Sequence, residues 1–185
     1  STIVASTCSG SATEIGGASQ LEIGGKVTSE HFASHKAALS AILNALAGHG
    51  VNTQTLAAAA HRVVHGGRNL TKPVRITPEV LTEITSCSPL APLHNPHNLA
   101  AIEALADIAP DLPQYASFDT SFHATNPKVA TRYAIPKTME TRGIRRYGFH
   151  GLSYEYIARR LPELDPALAD ARVVVAHLGN GASLC

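Results

Sequence analysis

Apolar residues along this chain follow two spacings, one typical of helices and one typical of strands. Leu39, Ile42, Leu43 and Leu46 recur at intervals of three and four residues, which predicts a helix over residues 36–47. Glycines follow directly after this segment, and glycine is the residue that most often ends a helix.

Capping residues mark the starts of three further helices. A Thr-Pro-Glu sequence at 77–79 combines an N-cap, a first-turn proline and an early acid, and predicts a helix that ends near Ser86. An Asn-Pro pair precedes a second helix over residues 97–109, and Ser153 is the predicted cap of a last helix.

Apolar runs of strand length lie between these helices, at residues 58–65, 113–118 and 173–175. The run at 173–175 is entirely valine, which predicts a fully buried strand. Strands that alternate with helices predict an α/β fold with a mixed, mostly parallel sheet flanked by helices.

Glycine and proline divide the chain into segments. Residues 1–26 are predicted as loop with short edge strands, residues 27–170 as the main domain, and residues 171–185 as a strand and turn that lead into a second domain. The chain begins without Met and stops just past a glycine-rich turn, so we expect the fold to be incomplete and the chain to be a piece of a longer protein.

Charge and composition exclude several classes of function. The 15 basic and 14 acidic residues nearly cancel, which argues against nucleic acid or an anionic membrane as a partner. No apolar run is long enough to span a bilayer and no signal peptide is visible. The three cysteines have no metal-ligand spacing, which favours a reduced, cytoplasmic protein.

The segment H-R-V-V-H-G-G at 61–67 places Arg62 and Val64 on one face of a predicted strand. An arginine that points inward from a buried strand needs an anionic partner. That partner is either an acid of the protein or the carboxylate or phosphate of a ligand, and the sequence leaves both open.

Two later segments carry further candidates for chemistry. Asp119 directly follows the strand at 113–118, where it either caps a turn or orients a hydroxyl, a nucleophile or a metal-bound water. In Y-G-F-H-G at 147–151, glycines flank Phe149 and His150, so the backbone can approach a ligand closely. Phe149 can wall an apolar pocket, and His150 can donate to developing negative charge.

Histidine pairs raise a metal site as a weaker alternative. His61 and His65 have the spacing of a helical zinc motif, but Arg62 replaces its glutamate, and on a strand the two rings lie about 13 Å apart. His94 and His97 are separated by a proline that breaks helical alignment. Stoichiometric zinc in the purified protein would support a metal hydrolase.

The turn H-L-G-N-G after the last valine run predicts positive φ angles at its glycines and backbone N–H groups that face an anion. Strand followed by a glycine-rich turn is a common way to bind phosphate.

Taken together, five blocks resemble the acetate kinase family. They are H-R-V-V-H-G-G (61–67), S-P-L-A-P-L-H-N-P-H-N (88–98), F-D-T-S-F-H (118–123), Y-G-F-H-G-L-S (147–153) and A-H-L-G-N-G-A-S (176–183). The resemblance implies the ribonuclease H-like fold of the actin-like ATPase superfamily. It also implies ATP-dependent, in-line phosphorylation of acetate to acetyl phosphate, with Mg²⁺ as cofactor.

The resemblance assigns roles to individual positions. Arg62 matches the arginine that binds the substrate carboxylate and the phosphoryl group, Asp119 the active-site acid, and His150 and His94 active-site histidines. The residues implied to line the methyl pocket are Val64, Leu93 and Phe149. The residues implied to bind ATP are His177, Leu178, Gly179, Asn180 and Gly181.

Parts of the family pattern are missing from the chain. No match is found for its N-terminal hairpin, nor for the domain with a second arginine, the Mg²⁺ ligands and most of a dimer interface. We therefore expect no metal ligands in this chain, a homodimer only in the whole protein, and little or no turnover from these residues alone. A propionate-preferring kinase and a non-catalytic anion-binding remnant remain as alternatives.

Overall fold

The computed structural model describes residues 8–185 of the chain, so the first seven residues of the predicted N-terminal stretch lie outside the described part. Its α-helices are α1 (His35–Ala47), α2 (Pro78–Ser86), α3 (Asn95–Ile108), α4 (Lys128–Thr131), α5 (Lys137–Thr141) and α6 (Gly151–Leu164). Its strands are β1 (Gly10–Thr13), β2 (Gln20–Ile23), β3 (Lys26–Ser29), β4 (Ala59–Val63), β5 (Val74–Arg75), β6 (Gln114–Phe118), β7 (Ala176–Leu178) and β8 (Ala182–Leu184).

The chain divides into two compact units. The first comprises residues up to 59 together with 97–114, and the second comprises residues 60–96 and 115–185. The domain boundaries expected after residues 26 and 170 stay predictions.

The first unit contains a three-stranded antiparallel sheet, β1–β2–β3. Gly24 and Gly25 both have positive φ and connect β2 to β3, as a two-residue hairpin turn requires. Leu21 and Ile23 alternate inward from β2 and pack with Phe32 and with Ala38 of α1. The predicted helix at 36–47 is thus confirmed, with Ser34 as its N-cap.

The second unit contains the sheet β4–β6–β5. Ala59 N donates to Pro113 O and Asp119 N donates to Val63 O, so β4 and β6 run parallel. β5 pairs with β6 antiparallel, which makes this sheet mixed as predicted. Val63, Ala116 and Phe118 are fully buried in the core of this unit.

The prediction of mostly parallel pairing is wrong for the described strands. The pairs β1–β2, β2–β3, β5–β6 and β7–β8 are all antiparallel. The connections from β2 to β3 and from β7 to β8 are too short for a crossover, and strands joined by such turns pair antiparallel.

The helix predictions agree with the structure except at two starts. α2 begins after Thr77, whose side chain accepts from Val80 N, and ends at Ser86 as predicted. α3 begins at Asn95, two residues earlier than predicted. α6 begins at Gly151, so Ser153 lies in its first turn and is not its cap; His150 occupies that position in a left-handed conformation.

The valine run at 173–175 is not the buried strand that its composition predicts. The strand lies at Ala176–Leu178 and folds back onto β8, while Val174 is 77% exposed. The chain reverses at the glycine-rich turn and pairs with itself, and Val175 extends this pairing through two backbone hydrogen bonds with Cys185.

The long segment between β6 and α6 is irregular as predicted, apart from the short helices α4 and α5 and one 3₁₀ turn (Phe122–Thr125). Each helix within residues 8–185 is too short or too polar to cross a membrane.

Candidate active site

One cavity of about 590 Å³ within the second unit brings together residues from all five sequence blocks. It contains every side chain predicted for catalysis and acid binding, and two residues of the glycine-rich turn. These residues are Arg62, Val64, Leu93, His94, Asp119, Phe149, His150, Asn180 and Gly181.

Arg62 and Asp119 form an ion pair in this cavity. The Arg62 Nε donates to both carboxylate oxygens, at 3.0 Å and 3.2 Å, and its Nη2 donates to Oδ2 at 2.5 Å. These hydrogen bonds raise the pKa of the Arg62 guanidinium above its ordinary value. Of the two partners left open by the sequence, the structure shows a protein acid, and that acid itself lines the cavity.

The parallel pairing of β4 and β6 explains why these two residues meet. Arg62 lies near the carboxyl end of β4, and Asp119 directly follows β6. Parallel strands end at the same edge of a sheet, where sites of α/β proteins commonly form. Val64 lines the same cavity as Arg62, as the alternation along β4 predicts.

Asn95 holds the turn after β4 in place. Its Oδ1 accepts from His65 N, while its Nδ2 donates to His65 O and Ile84 O. The side chain is fully buried and these partners satisfy it. From the sequence, Asn95 is predicted only to open a helix. Its position inside the proline-rich block is the one signal that could have indicated its contact with the turn after β4.

The two glycines beside Phe149 and His150 permit close approach by protein groups. A Cβ at Gly148 would lie 2.4 Å from the ring of His123, and one at Gly151 would lie 2.3 Å from Asp119 O. The expectation that both flanks serve a ligand is therefore wrong. Gly148 lets the Phe149–His150 turn pack against His123, and Gly151 lets it pack against Asp119.

His150 is held by contacts on two sides. Its Nδ1 lies 2.8 Å from Ser183 Oγ, which also makes a short hydrogen bond with the hydroxyl of Tyr154. The His177 ring stacks on the His150 ring with centroids 4.0 Å apart and planes 8° apart. Burial and the neighbouring His177 lower the pKa of His150, which favours its neutral form. The sequence pattern alone does not identify Tyr154 and Ser183 as neighbours of the site.

The residues predicted to bind ATP do not all reach the cavity. Asn180 and Gly181 line it and His177 contacts His150, whereas Leu178 is 79% exposed and Gly179 lies outside the lining. The predicted positive φ angles are also wrong, since neither glycine of this turn has one. Gly181 lies beside the His150 ring, since a Cβ there would be in van der Waals contact with Nε2 at 3.4 Å.

The residues predicted to line the methyl pocket differ in their exposure to solvent. Val64 is buried and Phe149 is half-buried, but Leu93 is 78% exposed at the rim. His94 is exposed beside Leu93, and its backbone N–H donates to Ala91 O.

The histidine pairs do not converge with other ligands. Within the described residues 8–185, no three His, Cys, Asp or Glu side chains form a group that could hold a metal. His65 is buried, and its Nδ1 accepts from Gly67 N. Its ring lies edge-on to the rings of Tyr147 and Phe149, with centroids at 4.5 Å and 5.7 Å.

Known proteins resemble this chain over most of its length. A family model described as the acetokinase family matches residues 11–185. An acetate kinase from Rhodopseudomonas palustris is 60% identical over 131 residues, which cover 70% of this chain and 33% of that protein.

Two solved structures show the same fold. An acetate kinase from Porphyromonas gingivalis has a TM-score of 0.84 at 36% identity and covers 96% of this chain and 48% of its own. A propionate kinase from Francisella tularensis has a TM-score of 0.88 at 35% identity, with coverages of 96% and 47%. The predicted actin-like ATPase fold is thus confirmed, and this chain spans a third to a half of these relatives.

Proposed function

Because the chain belongs to the acetokinase family, we propose that it forms the acid-binding part of an ATP-dependent kinase that converts acetate to acetyl phosphate. The observation that carries this proposal is the Arg62–Asp119 pair, which shares one cavity with the buried Val64 and with His150. A cationic fork, an apolar wall and a hydrogen-bond donor are what a short carboxylic acid and a phosphoryl group require.

In the proposed reaction a carboxylate oxygen of acetate attacks the γ-phosphorus of ATP. The new oxygen–phosphorus bond forms as the bond from that phosphorus to the β–γ bridging oxygen breaks, and ADP leaves with the electron pair. Acetate is already ionised at neutral pH, so the step needs no base. The protein contributes position and neutralising charge, as is general for phosphoryl transfer.

Arg62 neutralises the carboxylate and the equatorial phosphoryl oxygens in this proposal. Asp119 orients Arg62, an interpretation supported by its hydrogen bonds to the guanidinium. The alternative roles for Asp119 are to orient acetate or to orient a metal-bound water. His150 donates from its ring to the transferred group, and His94 at the rim contacts the entering substrate.

The nucleotide phosphates are proposed to bind at the β7–β8 turn. Asn180 and Gly181 line the cavity beside His150, which supports contact with the transferred phosphate. His177, Leu178 and Gly179 are proposed to contact the remaining phosphates.

The residues present do not form a magnesium site by themselves. Asp119 is the only carboxylate lining the cavity within the described part of the chain, and both of its oxygens are engaged by Arg62. The proposal that Mg²⁺ accompanies ATP rests on the family alone.

The whole protein is proposed to act as a cytoplasmic homodimer on small molecules, with acetate and ATP as substrates. The chain has three cysteines, an odd and widely spaced set, which is in keeping with a reducing compartment. Val64 favours acetate, since a smaller side chain at this position would leave room for the extra methylene of propionate.

The experiment is to assay the natural full-length gene product and the 185-residue chain in parallel with ATP and a panel of short carboxylic acids. We expect the full-length product to form ADP and acyl phosphate in equal amounts, fastest with acetate, and the chain alone to show little turnover. Faster turnover of propionate than of acetate would identify propionate as the preferred substrate. No acyl phosphate from the full-length product, together with phosphate binding at this cavity, would support the anion-binding remnant.

A further inference from the structure

His150 has an unusual backbone conformation. Its φ of 58° and ψ of 21° lie in the left-handed region, which few residues other than glycine adopt, although asparagine, aspartate and histidine do so more often than the rest. It stands at the N-cap position of α6 but makes no side-chain capping hydrogen bond. The hydrogen-bond partner of the His150 ring, Ser183, lies instead on β8.

The ring is directed at Ser183, which connects it to Tyr154. Ser183 Oγ contacts both the Tyr154 hydroxyl and His150 Nδ1. Tyr154 is buried, and its phenol is the more acidic of the two hydroxyls, so we assign it as the donor to Ser183. Ser183 then has its own hydrogen left to donate to His150, and Nδ1 is the acceptor.

The opposite edge of the ring faces the cavity. A Cβ at Gly181 would lie 3.4 Å from Nε2 and 3.5 Å from Cε1, so any larger residue would cover this edge. Both His150 and Gly181 line the cavity. With Nδ1 occupied as an acceptor, the single hydrogen of a neutral His150 lies on Nε2.

The surroundings of His150 favour this neutral form. The charged or titratable groups that act on it are His177, Asp119, Arg62 and His123. Asp119 alone favours a charged ring, and its carboxylate is already paired with Arg62. The stacked His177 ring would repel an imidazolium at 4.0 Å.

We propose that Ser183, held by Tyr154, is a positioning residue that fixes His150 as the Nε2–H tautomer and directs this N–H into the cavity. The tautomer follows from the contact of Ser183 Oγ with Nδ1 and from the assignment of Tyr154 as the donor to Ser183. The statement that the N–H meets a phosphoryl oxygen rests on the proposed function. A neutral donor stabilises the charge that develops on the phosphoryl group and still releases the product, which a full cation would bind more tightly.

The direct test is ¹⁵N NMR of the His150 ring in the chain at a pH where the ring is neutral. We expect a protonated Nε2 and an unprotonated Nδ1 in the wild type. In Ser183→Ala the two nitrogen shifts should move toward each other, because both tautomers become populated. Ser183→Thr keeps the hydroxyl and should restore the wild-type pattern.

Tyr154→Phe removes only the hydroxyl that holds Ser183 and should shift the His150 nitrogens in the same direction as Ser183→Ala. Tyr156→Phe is the matched control, since Tyr156 lies on the same helix but is exposed, and it should change nothing. A wild-type ring with its hydrogen on Nδ1, or a Ser183→Ala spectrum identical to the wild type, would overturn the proposal.

A kinetic measurement on the full-length product separates this inference from the proposed function. Ser183→Ala should lower kcat about tenfold, the equivalent of one ordinary hydrogen bond, with the KM for acetate unchanged. An unchanged kcat would refute the positioning role. Absence of any acetate phosphorylation would refute the proposed function, while the NMR result would still decide the tautomer.

Discussion

The Arg62–Asp119 ion pair is asymmetric, with a buried carboxylate and an exposed guanidinium. The side chain of Asp119 is 1% exposed, whereas that of Arg62 is 61% exposed. The buried carboxylate of Asp119 is satisfied by its hydrogen bonds with Arg62, while the guanidinium of Arg62 is exposed in the cavity. Changes to either partner should therefore have different consequences.

Asp119→Asn should destabilise the fold by about 1–3 kcal/mol, because a buried acceptor that two arginine nitrogens satisfy is replaced by an amide that mismatches them. Asp107→Asn is the matched control: Asp107 pairs with Lys36 on the surface, and surface pairs contribute about 0–1 kcal/mol. Urea unfolding of both variants measures the difference. Equal losses of unfolding free energy in the two variants would show that burial of the Asp119 carboxylate has no energetic role.

Arg62→Lys should weaken acetate binding while the fold stays intact. Lysine keeps the charge but loses the planar fork, and the loss of a charged hydrogen bond of about 1.5–3 kcal/mol corresponds to roughly 10- to 150-fold. The KM for acetate of the full-length product measures this effect. Arg159→Lys serves as the control, since Arg159 is exposed on α6 and contacts Glu155 only at 4.0 Å. An unchanged KM in Arg62→Lys would exclude Arg62 from acid binding.

Val64→Ala should shift the preference from acetate toward propionate. Val64 is buried against the cavity, and removing its methyl groups makes room for about one methylene, which is worth roughly 1–3 kcal/mol of discrimination. The ratio of kcat/KM for the two acids is the measurement. Val129→Ala, at a position 85% exposed, should leave the ratio unchanged. A ratio that stays constant in Val64→Ala would place the methyl pocket elsewhere.

Gly151→Ala should disturb Asp119 through the backbone. The added Cβ would lie 2.3 Å from Asp119 O and 2.7 Å from Phe122 Cβ, so the start of α6 must shift. Overpacking of this kind costs about 1–3 kcal/mol. At Gly17 the nearest atom would lie at an ordinary 3.5 Å, so Gly17→Ala is the control for the intrinsic effect of the substitution. Equal unfolding free energies in the two variants would contradict the tight packing.

The sequence predicts features that depend on neighbouring residues better than features that depend on residues far apart in the chain. The apolar spacing of α1 and the Thr77 cap of α2 are local signals, and both predict their helices closely. The valine run at 173–175 has strand composition, but its burial depends on a covering element that no local pattern reveals.

The candidate site shows the same limit. Arg62, Asp119 and His150 were each identified from their blocks, and the resemblance supplied roles for them. Their hydrogen bonds were not predictable, because the Arg62–Asp119 contact depends on which strands pair. Ser183 ends the last block and Tyr154 lies just outside the fourth, and only the folded chain brings them together at His150.

His65 should make stability depend on pH. Burial lowers the pKa of His65 below its ordinary value of 6.5, so the folded chain disfavours the charged ring. The unfolded chain then binds more protons at pH values just below 6.5, and the free energy of unfolding must fall as pH falls through that value. The contribution of His65 is fully present above it.

His65→Asn is the variant that isolates this effect. Its side-chain oxygen can accept from Gly67 N in place of Nδ1, and it does not titrate. We expect lower stability at all pH values, from the lost contacts with Tyr147 and Phe149, but a flatter dependence between pH 7.5 and 5.5. Urea titrations across this range compare the two slopes, which differ by at most about 1.4 kcal/mol per pH unit for one proton. Parallel slopes would show that His65 is protonated as readily in the fold as in the unfolded chain.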